Sequence, residues 1–100
     1  MIRTRLKAAV VSVVRGREIA EERRRHLVAL ANEVGARGLA WRFAGPEESL
    51  LSVTGPRSGR QIMVVATLTG EGWFYLWPGG GMADVAEAPG VADRLTRLLG

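Results

Sequence analysis

Glu18, Glu22 and His26 recur at intervals of four, a spacing that places two carboxylates and an imidazole on one helix face, with Glu33 further along the same side. Such a set could ligate a divalent metal. Two-metal helical sites draw a second set of ligands from facing helices, however, and the C-terminal segment offers only Asp84, Glu87 and Asp93. The simpler expectation is a solvated face whose acids pair with Arg25 and its neighbours. His26 is the only histidine and cysteine is absent, which removes thiolate nucleophiles, disulfides and cysteine zinc sites. A hydrolase triad would have to join His26 to one of four serines and one of two aspartates, and the chain has no Gly-x-Ser-x-Gly elbow. The sequence therefore nominates no catalytic, cofactor-binding or metal-binding residue, indicates no small-molecule substrate, and is read as non-enzymatic.

Two glycine-rich segments could receive an anion. Gly55-Pro56-Arg57-Ser58-Gly59-Arg60 offers two guanidinium groups and a hydroxyl at a hairpin tip. Gly79-Gly80-Gly81 is expected to run from a strand into a helix, whose free amides favour negative charge, but it lacks the Gly-Lys-Ser/Thr ending of a phosphate-binding loop. Basic residues concentrate at the other end of the chain. Residues 1–44 hold ten positive and four negative side chains, whereas residues 45–100 hold four and six. Arg3, Arg5, Arg15, Arg17 and Arg24, with Arg57 and Arg60, are the candidate contacts to nucleic acid or another anion. Interleaved acids dilute that patch, and no helix-turn-helix or RNA-module signature accompanies it, so nucleic acid is the alternative partner and a protein the favoured one.

The elements that must position these residues follow from periodicity. Apolar residues recur at helical spacing from Ile2 to Val34, through Leu6, Val10, Val13, Leu27, Val28 and Ala31. A continuous helix of that length would span about 50 Å, nearly twice the ~26 Å diameter of a 100-residue domain. Gly16 is the natural place for a hinge. Residues 17–34 are read as the first full helix, stopped by Gly35 and Gly38, and residues 1–15 as a basic helical extension, continuous with it or hinged at Gly16. A strand over the valine-rich stretch is the second choice. From residue 39 the period becomes alternating, and four strands are expected at residues 39–43, 50–54, 60–68 and 72–77, separated by Gly- and Pro-containing turns. Short turns imply an antiparallel meander. Pro78 to Gly81 is expected to end the sheet, residues 82–87 to form a short helix, and Val91, Leu95, Leu98 and Leu99 to line a closing helix with Pro89 in its first turn. The expected fold is α+β: an N-terminal helix, a four-stranded antiparallel sheet and a C-terminal helix, with both helices on one sheet face and a single domain over residues 16–100.

Length and composition agree. One hundred residues with 47% hydrophobic content make one small core and exclude a wholly disordered chain. The apolar run Ala8 to Val14 is short and closed by Arg15, a poor export signal, and no stretch approaches the ~20 apolar residues of a spanning helix. A cysteine-free chain without those segments is expected in the cytoplasm.

The sheet carries more apolar faces than two helices can cover. Ile62, Val64, Ala66 and Leu68 alternate with Met63 and Val65, and Phe74 and Leu76 alternate with Trp73, Tyr75 and Trp77. Met63, Val65, Trp73, Tyr75 and Trp77 are the candidate interface, joined by Leu6, Val10 and Val13 of the N-terminal stripe, for a second copy in a homodimer or a different protein. The competing expectation makes the aromatic row core.

The segment Gly72-Trp73-Phe74-Tyr75-Leu76-Trp77-Pro78-Gly79, followed by Val91-Ala92-Asp93-Arg94-Leu95-Thr96-Arg97-Leu98-Leu99-Gly100, resembles short actinobacterial proteins that end in a Trp-Phe-x-x-Trp-Pro strand and an amphipathic helix. The resemblance implies a bacterial origin, a cytoplasmic site and this order of elements, and it transfers no catalytic or ligand residue. The helix, sheet, helix order is also similar to that of frataxin-like iron-binding domains. Those carry a dense acidic ridge on the first helix, where this chain is rich in arginine, so the likeness does not extend to iron.

Overall fold

The computed structural model describes the backbone of residues 2–100 and the side chains of residues 15–100. Helix α1 (Ile2–Ala36) leads into five strands, β1 (Ala40–Ala44), β2 (Leu50–Thr54), β3 (Gln61–Thr69), β4 (Gly72–Trp77) and β5 (Gly81–Asp84), and helix α2 (Ala88–Leu99) closes the chain. The strands form one antiparallel sheet in sequence order. The α+β architecture and the antiparallel meander are as expected, with one strand more than the sequence suggested.

Helix α1 passes through Gly16 as a single helix of 35 residues. A mid-helix glycine costs about 1 kcal/mol against alanine, too little to break a helix without a competing structure nearby. The helix accounts for the extent of 60 Å along the long axis against 24 and 22 Å across it. Its stop is local chemistry. Gly38 adopts φ 83°, the Gly38 amide donates to the Gly35 carbonyl, and the Leu39 amide reaches back to Val34, a paired closure that satisfies the last carbonyls and turns the chain toward β1.

The fifth strand corrects the expectation that residues 78–81 end the sheet and residues 82–87 form a helix. Gly81–Asp84 pairs with β4, setting Trp77 opposite Gly81, Leu76 opposite Met82 and Phe74 opposite Asp84. Only Val85–Glu87 is helical, as one 3-10 turn capped by the Asp84 carboxylate, which accepts from the Ala86 amide at 2.8 Å. Gly81 is there because nothing larger fits: a Cβ would lie 2.0 Å from the Trp77 indole.

Both helices pack on one face of the sheet. α1 contributes Leu27, Leu30, Ala31 and Val34, and α2 contributes Ala88, Val91, Ala92, Leu95 and Leu99. Between them and the sheet lie Leu51, Val53, Val64, Ala66 and Tyr75, nearly all inaccessible to water. Arg37 ties the two helices together, its Nε donating to Asp93 at 2.7 Å and its Nη1 to Glu33 at 3.0 Å. Those two carboxylates hold the guanidinium proton and raise its pKa further above the ordinary value.

Candidate functional site

The pairing register decides which side chains share a face. Val65 sits opposite Leu50 on β2 and Leu76 on β4, Leu50 sits opposite Ala44 on β1, and Leu76 sits opposite Met82 on β5. Ala44, Leu50, Val65, Leu76 and Met82 therefore form one unbroken apolar row across all five strands, on the face away from both helices. The first four are partly buried, and Met82 is 56% exposed. Met63 and Phe74 flank the row. Their rows are otherwise polar, Met63 sharing its row with Ser52 and Arg42 and Phe74 sharing its row with Thr67 and Asp84. Ser52 is buried within this face and accepts a hydrogen bond from the Gln61 side-chain amide, which pins the β2–β3 pair. An apolar band with polar margins is the usual form of a protein-binding surface.

The expected interface is split by this geometry. Met63 and Val65 are on the open face, whereas Trp73, Tyr75 and Trp77 lie on the helix-covered face with exposures of 9, 0 and 8%. The correction has a simple cause. Thr69 pairs with Gly72 across the two-residue turn Gly70-Glu71, so Ala66 faces Tyr75 and Leu68 faces Trp73, and even-numbered residues of β3 share a face with odd-numbered residues of β4. The two-residue turn was readable in the sequence and is the signal that would have set Phe74 and Leu76 on the same face as Met63 and Val65, whereas Leu50 and Met82 depend on the pairings of β2 and β5. Leu6, Val10 and Val13 lie outside the residues whose side chains are described.

The buried aromatics do structural chemistry. Trp73 donates its indole N–H to Glu22 at 2.6 Å and has His26 tilted against it with ring centroids 5.1 Å apart. The Arg23 guanidinium lies 5.7 Å from the Trp73 ring, and its Nε donates to the Ala66 carbonyl at 3.0 Å. Tyr75 donates its hydroxyl to the His26 carbonyl, and burial pushes the phenol pKa up to about 12. His26 titrates below its ordinary value because desolvation of the imidazolium outweighs the attraction of Glu22. The helical series Glu18, Glu22, His26 and Glu33 is thus divided among separate tasks, since Glu22 serves Trp73 and Glu33 serves Arg37. Among the described residues, no group of three His, Asp or Glu side chains is placed to hold a metal.

Among the described residues, the candidate arginines do not converge on one site. Arg15 and Arg17 are exposed on α1 ahead of the sheet, and Arg3 and Arg5 lie outside the described side chains. Arg24 covers the Phe43 ring at 4.4 Å and meets Glu48 at 3.4 Å beside a groove of about 310 Å³ lined by Ala20, Arg23, Glu47 and Ser49. Arg57 and Arg60 sit on the β2–β3 hairpin at the opposite end of the sheet, where Ser58 donates to the Leu99 carbonyl at 2.6 Å. That hydroxyl has a structural task in holding the hairpin to α2. Gly79-Gly80-Gly81 leads into β5 and not into a helix, so the expected helix amides do not face that loop. Compared with protein-family models, curated proteins and solved structures, the chain matches none.

Proposed function

We propose that the protein is a non-enzymatic interaction module, adaptor or regulator, that binds a protein surface, its own or another's, through the open sheet face. The observation that carries the reading is the unbroken row from Ala44 to Met82 across five strands, a contiguous apolar band that the two helices leave on the far side of the sheet. The basic stretch of residues 1–15, with Leu6, Val10 and Val13 in its sequence, is a second contact beside the domain formed by residues 16–100. No helix among the described residues is long and apolar enough to cross a membrane. The reading places the module in a bacterial cytoplasm, in keeping with a chain free of cysteine.

A photo-crosslinking amino acid at position 82 tests this in cells, with position 57, exposed on the far hairpin, as the control. Protein adducts from position 82 that are absent from position 57 are the expected result. Adduct-free protein that co-purifies with nucleic acid favours the alternative, a nucleic-acid-associated regulator working through the exposed Arg15, Arg17 and Arg24.

A further inference from the structure

Resting on the reading of residues 1–15 as a second contact, we infer that the N-terminal half of α1 is an interfacial helix, which lies on an anionic phospholipid surface and holds the domain there. Length is the first observation. α1 runs for 35 residues, residues 15–18 are exposed, and Ile19 is the first of its described side chains to pack against the core. About 25 Å of helix therefore precedes the packed part, on a molecule 60 Å long and 24 by 22 Å across. Charge is the second. Residues 1–17 hold Arg3, Arg5, Lys7, Arg15 and Arg17 and no acid, whereas the remainder of the chain holds nine basic and ten acidic side chains. The positive charge of the chain thus belongs to this segment, and charge complementarity calls for an anionic partner.

Pattern separates lipid from other anions. An α-helix turns about 100° per residue, which sets Ile2, Leu6, Ala9, Val10 and Val13 within one arc of about 100°. Arg5 flanks the arc on one side and Arg3 and Lys7 on the other, while Thr4 and Arg15 fall across the helix from it. Val11 and Val14 fall outside the arc, beside Lys7, and Arg17 falls on its line and closes it. An apolar arc with cations along both margins is the arrangement by which a helix rests at the boundary between headgroups and acyl chains. The phosphates of a nucleic acid would use the cations and leave the apolar arc without a task. A groove on an acidic protein would call for large anchors at helical spacing, whereas the later positions of the arc are alanine and valine. A second copy would set the same cations against one another.

The contact is peripheral. The run Ala8 to Val14, interrupted by Ser12, covers about 10 Å of helix against a hydrocarbon core of ~30 Å, so the segment lies on a bilayer and does not cross it. Each Lys or Arg near an anionic surface is worth about a factor of five in partitioning. Charge therefore supplies most of the attraction, and the apolar arc sets the depth and orientation of the helix.

The test is co-sedimentation of the full chain with vesicles of phosphatidylcholine, alone or with about 30% phosphatidylglycerol. Affinity for the anionic vesicles is expected to exceed that for the neutral ones by about a hundredfold or more. Arg3→Gln/Arg5→Gln/Lys7→Gln should lose about a hundredfold of it, and Leu6→Ser/Val10→Ser, which keeps every charge, about twentyfold. Circular dichroism and an unchanged urea midpoint confirm that each variant is folded, since these positions precede Ile19. The chain has no cysteine, so a polarity-sensitive dye on Leu6→Cys or Thr4→Cys reports one position at a time. Its emission should shift to the blue on anionic vesicles at position 6 and hold at position 4. Equal binding to neutral and anionic vesicles, a Leu6→Ser/Val10→Ser protein that binds like the parent, or equal dye shifts at the two positions would each overturn the inference. A chain that ignores anionic vesicles and binds duplex DNA at low salt would assign the segment to nucleic acid instead. One that ignores both also refutes it, and the position-82 crosslink, which reports on the sheet face, then still decides the interaction module.

Discussion

Neighbouring residues of β4 should respond very differently to truncation, because Tyr75 faces the helices and Leu76 faces the open side. Tyr75 is fully buried, packs within the core and donates its hydroxyl to His26, so Tyr75→Ala removes a large ring from a space that cannot collapse around it. Aromatic truncations of this kind cost about 3–5 kcal/mol. Leu76 is partly buried in a surface row with nothing behind it, so Leu76→Ala forfeits about half of the roughly 2 kcal/mol transfer energy and leaves no cavity. The expected loss is about 1 kcal/mol. Against a total stability of about 5–15 kcal/mol, Tyr75→Ala alone takes up a large share, and pairing it with Trp73→Ala is expected to unfold the domain. Urea unfolding followed by tryptophan fluorescence and circular dichroism measures both losses. Equal destabilisation by the two single variants, or a folded Trp73→Ala/Tyr75→Ala protein, would show that the faces are assigned the wrong way round.

Two further outcomes follow from individual contacts. Gly81→Ala forces a methyl group onto the indole of the buried Trp77 and is expected to cost about 1–3 kcal/mol, whereas Gly70→Ala, whose added methyl meets nothing within 4 Å, should change the unfolding midpoint little. The single tyrosine makes absorbance at the phenolate band a clean report on Tyr75, which should ionise near pH 12 in the fold. An unfolded tyrosine ionises near pH 10, so the unfolded state releases its proton first and stability should fall as pH rises from about 10 to about 12. Tyr75→Phe should lose that decline, and a phenol titrating near pH 10 in the folded protein would contradict the burial argument.

The outline of the fold was legible because its signals are strong and local. The flanking Gly- and Pro-containing turns marked β2 and β4 at their observed bounds, residues 50–54 and 72–77, and β1 and β3 lie within a residue of the expected ranges. Gly38 marked the end of α1 through a backbone conformation that glycine adopts without strain. β5 was not legible. Gly81-Met82-Ala83-Asp84 is too short to show a period, and it becomes a strand because the free edge of β4 supplies hydrogen-bonding groups and Trp77 needs a residue without a side chain opposite it. The continuity of α1 through Gly16 was open for a related reason, since a propensity of about 1 kcal/mol shifts a balance without deciding it.

The candidate surface depended on which parity of each strand meets the helices. The sequence determined on its own that both faces of β3 and β4 are apolar and that two helices could cover only one. It also confined the charged residues of the four expected strands to Arg42 and Arg60. Tertiary structure decided the rest. Where one face is polar, water selects the buried side, but Trp73, Tyr75 and Trp77 compete with Phe74 and Leu76 on nearly equal terms of hydrophobicity. Shape broke the tie: the larger rings fill the space under the helices, with Glu22 and the His26 carbonyl there to receive their N–H and O–H groups. The smaller Val65, Leu76 and Met82 were thereby left in a row that exists only once five strands are in register.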